Sequence, residues 1–209
     1  MILVPQALVP EQFIPPEGLL DLTELRHSER GLYCGSQFKW VDVKLESDPT
    51  RENLLQSFLA LPNLGIRTAD LFYQIGDLGK RSTCERAHIS AVVCDPYLNT
   101  LSRGYNRKPN FLNLPCGQLG CEPQTTCRLT QHAESVAFDG IVPHHAAKGG
   151  RTILFCLAVP CLDCMKLCTS NRVQIIVYKD ARPQPEYDRP VMSAYTIKSP
   201  MLFLQMRDV

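Results

Sequence analysis

The sequence predicts an α/β fold, a three-layer α/β/α sandwich with a central mixed sheet, helices on both faces and an N-terminal extension. Three observations predict it. Helical and strand patterns alternate from Thr68 onwards, the order expected where helices and strands share one sheet. The segment Arg151–Val159 is a short, nearly continuous apolar run, as a strand covered on both faces reads. The chain has 209 residues, 44% of them hydrophobic, enough for one sizeable core.

Residues 1–66 carry few periodic patterns and are punctuated by Ile14-Pro15-Pro16 and Asp48-Pro49. Leu54–Leu61 is a short amphipathic helix candidate within them. This region reads as an extension, packing on the main domain or on a partner, and residues 67–209 read as the domain itself. There Leu71, Phe72, Ile75 and Leu78 recur at helical spacing and Gly79 is a natural stop. His88–Cys94 reads as a strand closed by Asp95-Pro96, and Thr100–Tyr105 as its hairpin partner across Asp95–Asn99.

The segment from Asn106 to Thr130 is rich in Asn, Pro, Gly and Cys. It is too long to be structureless in a compact domain unless something pins it. Gln131–Phe138 is expected to be helical, Arg151–Val159 a strand, Leu162–Thr169 a helix and Val173–Tyr178 a strand. The proline-rich stretch Lys179–Pro200 is an irregular excursion, and Met201–Met206 closes the sheet as a last strand.

Charge excludes little but directs the search. With 22 basic and 21 acidic residues the net charge is +1, so the chain lacks the basic footprint of a nucleic-acid binder. A small or polar substrate fits that balance, and a nucleic acid fits it less well. The N-terminus, Met1-Ile2-Leu3-Val4-Pro5, lacks the basic flank and apolar run of a signal peptide, and no stretch approaches a membrane span. The 10 cysteines therefore read as cytoplasmic thiols and zinc ligands rather than as a disulfide framework.

Chemistry is concentrated in His132-Ala133-Glu134 and Pro160-Cys161-Leu162-Asp163-Cys164. This is the His-x-Glu, Pro-Cys-x-x-Cys signature of zinc nucleobase deaminases. One imidazole and two thiolates supply three ligands and leave a fourth tetrahedral position for water. Cys161 and Cys164, three apart, project from one helix face. Pro160 suits the opening of that helix, whose N-terminus favours thiolates. His132 falls at the start of the other motif helix, so two helix N-termini are expected to converge on one metal. Glu134 is too close to His132 for an obvious fourth ligand and suits general acid/base work.

A second cluster surrounds the long loop. Cys84, Cys116, Cys121 and Cys127 are candidates for a closed structural zinc site that would order the loop ahead of His132. Cys34 belongs to neither set. Cys94, Cys156 and Cys168 read as small core residues.

On these residues the sequence resembles the deoxycytidylate (dCMP) deaminase family of the zinc-dependent cytidine deaminase superfamily, over about Leu71–Tyr178. Ser82-Thr83-Cys84 resembles the family's Ser-x-Cys step. Gly104-Tyr105-Asn106 resembles its Gly-Tyr-Asn-Gly motif, and the two zinc motifs and the strand Ile175–Tyr178 complete the series.

The resemblance implies a cytidine-deaminase-like sandwich and hydrolytic conversion of dCMP, or a modified dCMP, to the uridylate and ammonia. It also implies a homo-oligomer, a sugar contact from Asn106 and a pyrimidine contact from the Ala133 backbone. Some members carry a second zinc on cysteines equivalent to Cys84 and Cys116.

Two departures stand out. Val136 occupies the usual Asn position after His-Ala-Glu, and Arg107 and Lys108 replace the glycine-rich continuation that helps regulated members bind an allosteric nucleotide. Those two cations suit substrate phosphate instead. Other readings are deamination of a base in RNA or single-stranded DNA, which needs a basic groove or stacking aromatics, and a non-catalytic zinc-binding assembly subunit. Riboflavin-pathway and guanine-type deaminases share the zinc motifs.

Overall fold

The computed structural model describes residues 38–42, 49–85, 87–109, 111, 115, 130–141, 150–180, 191 and 199–208. In chain order they form β1 (Phe38–Asp42), α1 (Pro49–Leu59), α2 (Leu64–Gly79), β2 (Ser90–Cys94), β3 (Thr100–Tyr105), α3 (Ala133–Asp139), β4 (Thr152–Ala158), α4 (Leu162–Ser170), β5 (Val173–Asp180) and β6 (Leu202–Asp208). The strands make one six-stranded sheet in the order β1-β6-β5-β4-β2-β3. β4, β5 and β6 run parallel, while β2 pairs antiparallel with both β3 and β4, and β1 with β6. The sheet is therefore mixed.

Alternation along the strands sorts side chains into two cores. On one face Val92, Cys94, Ile153, Phe155, Ile175 and Val177 pack with Leu71 and Ile75 of α2 and Leu55 and Phe58 of α1. On the other, Ala91, Val93, Leu154, Cys156, Ile176 and Tyr178 pack with Ala133, Ala137 and Phe138 of α3 and Met165 and Cys168 of α4. Helices thus cover both faces, which makes the three layers. α2 presents Leu64, Thr68, Leu71, Ile75 and Gly79 to the sheet at spacings of three and four, the apolar stripe of an amphipathic helix. Phe72 meets Phe155 edge to face, with ring centroids 5.9 Å apart.

The expected hairpin is present. Asp95 Oδ1 accepts from the Tyr97 and Asn99 amides at 2.8 and 2.9 Å, an Asx-type tether that closes the turn. Leu98 takes φ 62 in that turn yet is buried, so packing offsets the backbone strain.

The structure departs from expectation at the N-terminal side. The boundary placed at residue 66 falls inside α2; β1 pairs into the sheet and α1 packs in one core, as an extension packed on the main domain would. Leu55 is fully buried. Patterning missed β1 because a five-residue strand at a sheet edge leaves too few positions for a period to show. The other elements fall where expected, with bounds shifted by a few residues.

Candidate metal centre

The centre is built at the ends of two elements that share a sheet face. β4 ends at Ala158, and Val159-Pro160 leads into Cys161, the N-cap of α4, with extended φ −70 and ψ 172. His132 is the N-cap of α3, with φ −71 and ψ 150. Neither side chain makes a capping hydrogen bond. N-caps favour Ser, Thr, Asp or Asn, and an Ala-like N-cap costs about 1 kcal/mol. Here His132 and Cys161 turn towards one another instead. One detail of the sequence reading changes: Pro160 precedes the N-cap rather than opening the helix, and Cys161 lies just outside it, with Cys164 in the first turn.

His132 Nδ1 lies 3.3 Å from Cys161 Sγ and 3.3 Å from Cys164 Sγ. One donor atom from each of the three residues falls within 4.8 Å of the other two. An imidazole nitrogen at about 2.0 Å and a thiolate at about 2.3 Å from a tetrahedral zinc stand roughly 3.6 Å apart. The observed set fits one such ion with a small adjustment.

Charge points the same way. Cys161 is drawn down to about 4, first by the hydrogen bond from the Cys164 thiol and then by His132. Cys164 is pushed far up by that same bond and by burial. A cation among the three donors would let both sulfurs ionise together.

Glu134 completes the group. It sits in the first turn of α3, is 3% exposed, and its Oε2 accepts from Cys164 Sγ at 3.4 Å. Burial raises its pKa above the usual carboxylate value. A carboxyl that readily holds a proton beside a metal site is suited to passing one.

What seats α3 is a glycine. A Cβ on Gly104 of β3 would collide with Ala133 O and Ala137 N, so the helix backbone rests directly on the strand. The Gly-Tyr-Asn motif contains this residue, but its role in packing emerges only with the fold. The available signal was a glycine inside a strand, which often marks close backbone approach.

The remaining site candidates take varied positions. Asn106 follows β3 and is buried; its Oδ1 accepts from the Ile89 amide at 2.9 Å and from Ser82 Oγ at 2.5 Å, and its Nδ2 donates to Ala87 O at 2.6 Å. It ties the loop between α2 and β2 to the end of β3. Ser82, quoted only as part of a motif, is the hub of this network, accepting also from the Cys84 amide at 3.1 Å. Ala133 is the first residue of α3, where the amide has no intrahelical acceptor. The Arg107 backbone bridges Gln131, next to His132, and Arg107 Nε donates to Gln131 Oε1 at 3.3 Å. Lys108 pairs with Glu85 at 3.0 Å. Cys84 is buried with a free thiol. Cys116, Cys121 and Cys127, with Cys34, lie outside the described residues. Cys94, Cys156 and Cys168 are buried core residues.

Comparison with known proteins places this geometry. The family model described as the cytidine and deoxycytidylate deaminase zinc-binding region matches residues 69–179. Among solved structures, the dCMP deaminase of cyanophage S-TIM5 in complex with dCMP and dUMP aligns at 21% identity and a TM-score of 0.50, over 66% of this chain and 96% of that one. The same phage's enzyme in its apo form aligns at 23% identity and a TM-score of 0.44, over 57% and 86%. A diaminohydroxyphosphoribosylaminopyrimidine deaminase/reductase from Thermotoga maritima aligns at 16% identity and a TM-score of 0.42, over 64% and 34%. No curated protein matches the sequence.

Proposed function

The chain belongs to the cytidine and deoxycytidylate deaminase zinc-binding family, and from that premise we propose that it deaminates dCMP, or a base-modified dCMP, to the uridylate and ammonia. The observation that carries the reading is the convergence of His132, Cys161 and Cys164 with the buried Glu134 at their side. These three donors would hold zinc, which when bound acts as a Lewis acid and makes water nucleophilic at neutral pH.

The chain's own groups do the rest. Glu134 takes a proton from the attacking water and delivers it to the ring nitrogen next to the carbon under attack. It then assists the departure of ammonia. Burial, which raises its pKa, favours the first of these steps, the uptake of the proton. The Ala133 amide, free of an intrahelical acceptor, would meet the pyrimidine edge.

Asn106 has a second Nδ2 hydrogen beyond the one given to Ala87 O and can offer it to a sugar hydroxyl. Arg107, exposed beside Gln131, supplies a planar fork for the phosphate, with Lys108 behind it. A second, structural zinc on Cys84, Cys116, Cys121 and Cys127 and a homo-oligomeric state in the cytoplasm belong to the same reading. Among the described residues no helix is long and apolar enough to cross a membrane.

The test is ammonia release from dCMP, measured beside dCTP, cytidine and a short single-stranded DNA, with zinc counted per chain. Turnover of dCMP is expected, with two zinc ions per chain if the cysteine cluster is occupied. Glu134→Gln is expected to keep zinc and lose about 10²–10⁴-fold in kcat. Zinc without turnover of dCMP would overturn the substrate assignment, and turnover of the DNA alone would move it to polymeric substrates.

A further inference from the structure

A cleft of about 920 Å³ opens at the end of the sheet away from the metal centre. It lies where β4 and β5 begin, whereas Cys161 follows the end of β4; seven residues of strand separate the two ends, roughly 23 Å. Arg151 and Arg172 line it, with Asn53 of α1 and Gln174 of β5 beside them and Ile153 on its floor. The two arginines immediately precede the paired residues Thr152 and Val173 of neighbouring parallel strands. The Thr152 amide donates to Arg172 O at 3.5 Å, so the two backbones run side by side.

Both arginines are exposed, neither has an ion-pair partner among the described residues, and no carboxylate among the described residues lines the cleft. Two like charges on adjacent strands repel unless an anion sits between them. Arg172 also holds φ 53, a left-handed position after a helix where Gly or Asn is ordinary. A guanidinium thus stands at a strained backbone position beside a second one, with side-chain amides alongside.

We propose that this cleft binds the phosphate groups of a di- or polyphosphate anion, held by the paired forks of Arg151 and Arg172. Arg172 closes the turn after α4, the helix whose first turn carries Cys164. The site is separate from the substrate phosphate contact proposed for Arg107.

Titration calorimetry of the zinc-loaded full chain with inorganic pyrophosphate, at fixed ionic strength, tests the assignment. Saturable binding is expected, weakened at least tenfold by Arg151→Gln and by Arg172→Gly and unchanged by Arg107→Gln. Arg172→Gly relieves the backbone strain, so its melting temperature should equal or exceed the wild-type value, and loss of binding there is not unfolding. If that variant fails to fold, Arg151→Gln decides alone.

A parallel titration with a nucleoside diphosphate separates the sources of the phosphate. Equal affinity assigns the site to the free anion, and at least tenfold tighter binding, lost in Tyr97→Ala, assigns it to a phosphate ester whose base stacks on the exposed Tyr97. Absence of pyrophosphate binding, or binding that survives both cleft substitutions and disappears in Arg107→Gln, would overturn the proposal.

Discussion

Among single residues, the cysteines show how one side chain serves two purposes. Cys161 and Cys164 face a histidine across 3.3 Å, as donors that could hold a metal ion. Cys94, buried at the end of β2, does the opposite, since burial pushes its thiol from 9.0 up to about 12. A raised pKa means that the fold favours the neutral thiol. Its contribution to stability is complete below about pH 9 and is lost as pH rises towards 12. One proton over that interval amounts to about 2 kcal/mol lost by pH 10.5. Cys94→Ala removes the titration, and the cavity it leaves costs the same at either pH, so its urea midpoint should fall less between pH 8 and 10.5 than that of the wild type. Equal falls would mean that Cys94 takes no part in the alkaline loss. Motif spacing pointed to the candidate donors directly, because His132, Cys161 and Cys164 sit at the starts of two helices and helix starts are legible. The Ser82–Asn106–Ala87 network was not legible, because it joins residues far apart in sequence through hydrogen bonds that leave no pattern.

Elements position these residues through two kinds of packing. α3 rests on β3 backbone to backbone at Gly104, and any side chain there must lift the helix that carries His132 and Glu134. Gly104→Ala is expected to cost about 1–3 kcal/mol by overpacking. It should also weaken zinc binding, because His132 moves relative to Cys161; chelator competition against the wild type measures this. A variant with lower stability and unchanged zinc affinity would show that α3 adjusts without moving its N-terminus. α1 illustrates the second kind. Leu55 is fully buried against the α2 side of the sheet, so Leu55→Ala should cost about 2–5 kcal/mol in urea unfolding. A cost below about 1 kcal/mol would return α1 to the status of a detachable arm. Periodicity hinted at this helix but not at its burial, since an amphipathic stripe looks the same whether it meets its own sheet or a partner.

For the molecule as a whole, the sheet holds two helix N-termini over one point, where a bound metal would link them. Removing zinc should therefore lower stability as well as activity. With free zinc at a hundred times its dissociation constant the linkage is about 2.7 kcal/mol, or roughly 5–10 °C in melting temperature for a chain of this size. A melting temperature indifferent to a strong chelator would mean that the site is formed equally well without its ion. By itself the sequence determined the three-layer fold class and most element positions, and it singled out the candidate donors and the carboxylate that the fold brings together. Those depend on short-range spacing, and a helix or strand imposes its period on nearby residues. Only the tertiary structure decided that β1 and α1 complete the sheet and its core, that Gly104 sets the height of α3, and that Arg151 and Arg172 share a cleft. Each of these joins residues distant in sequence, and their meeting depends on strand order and register, which no local pattern encodes.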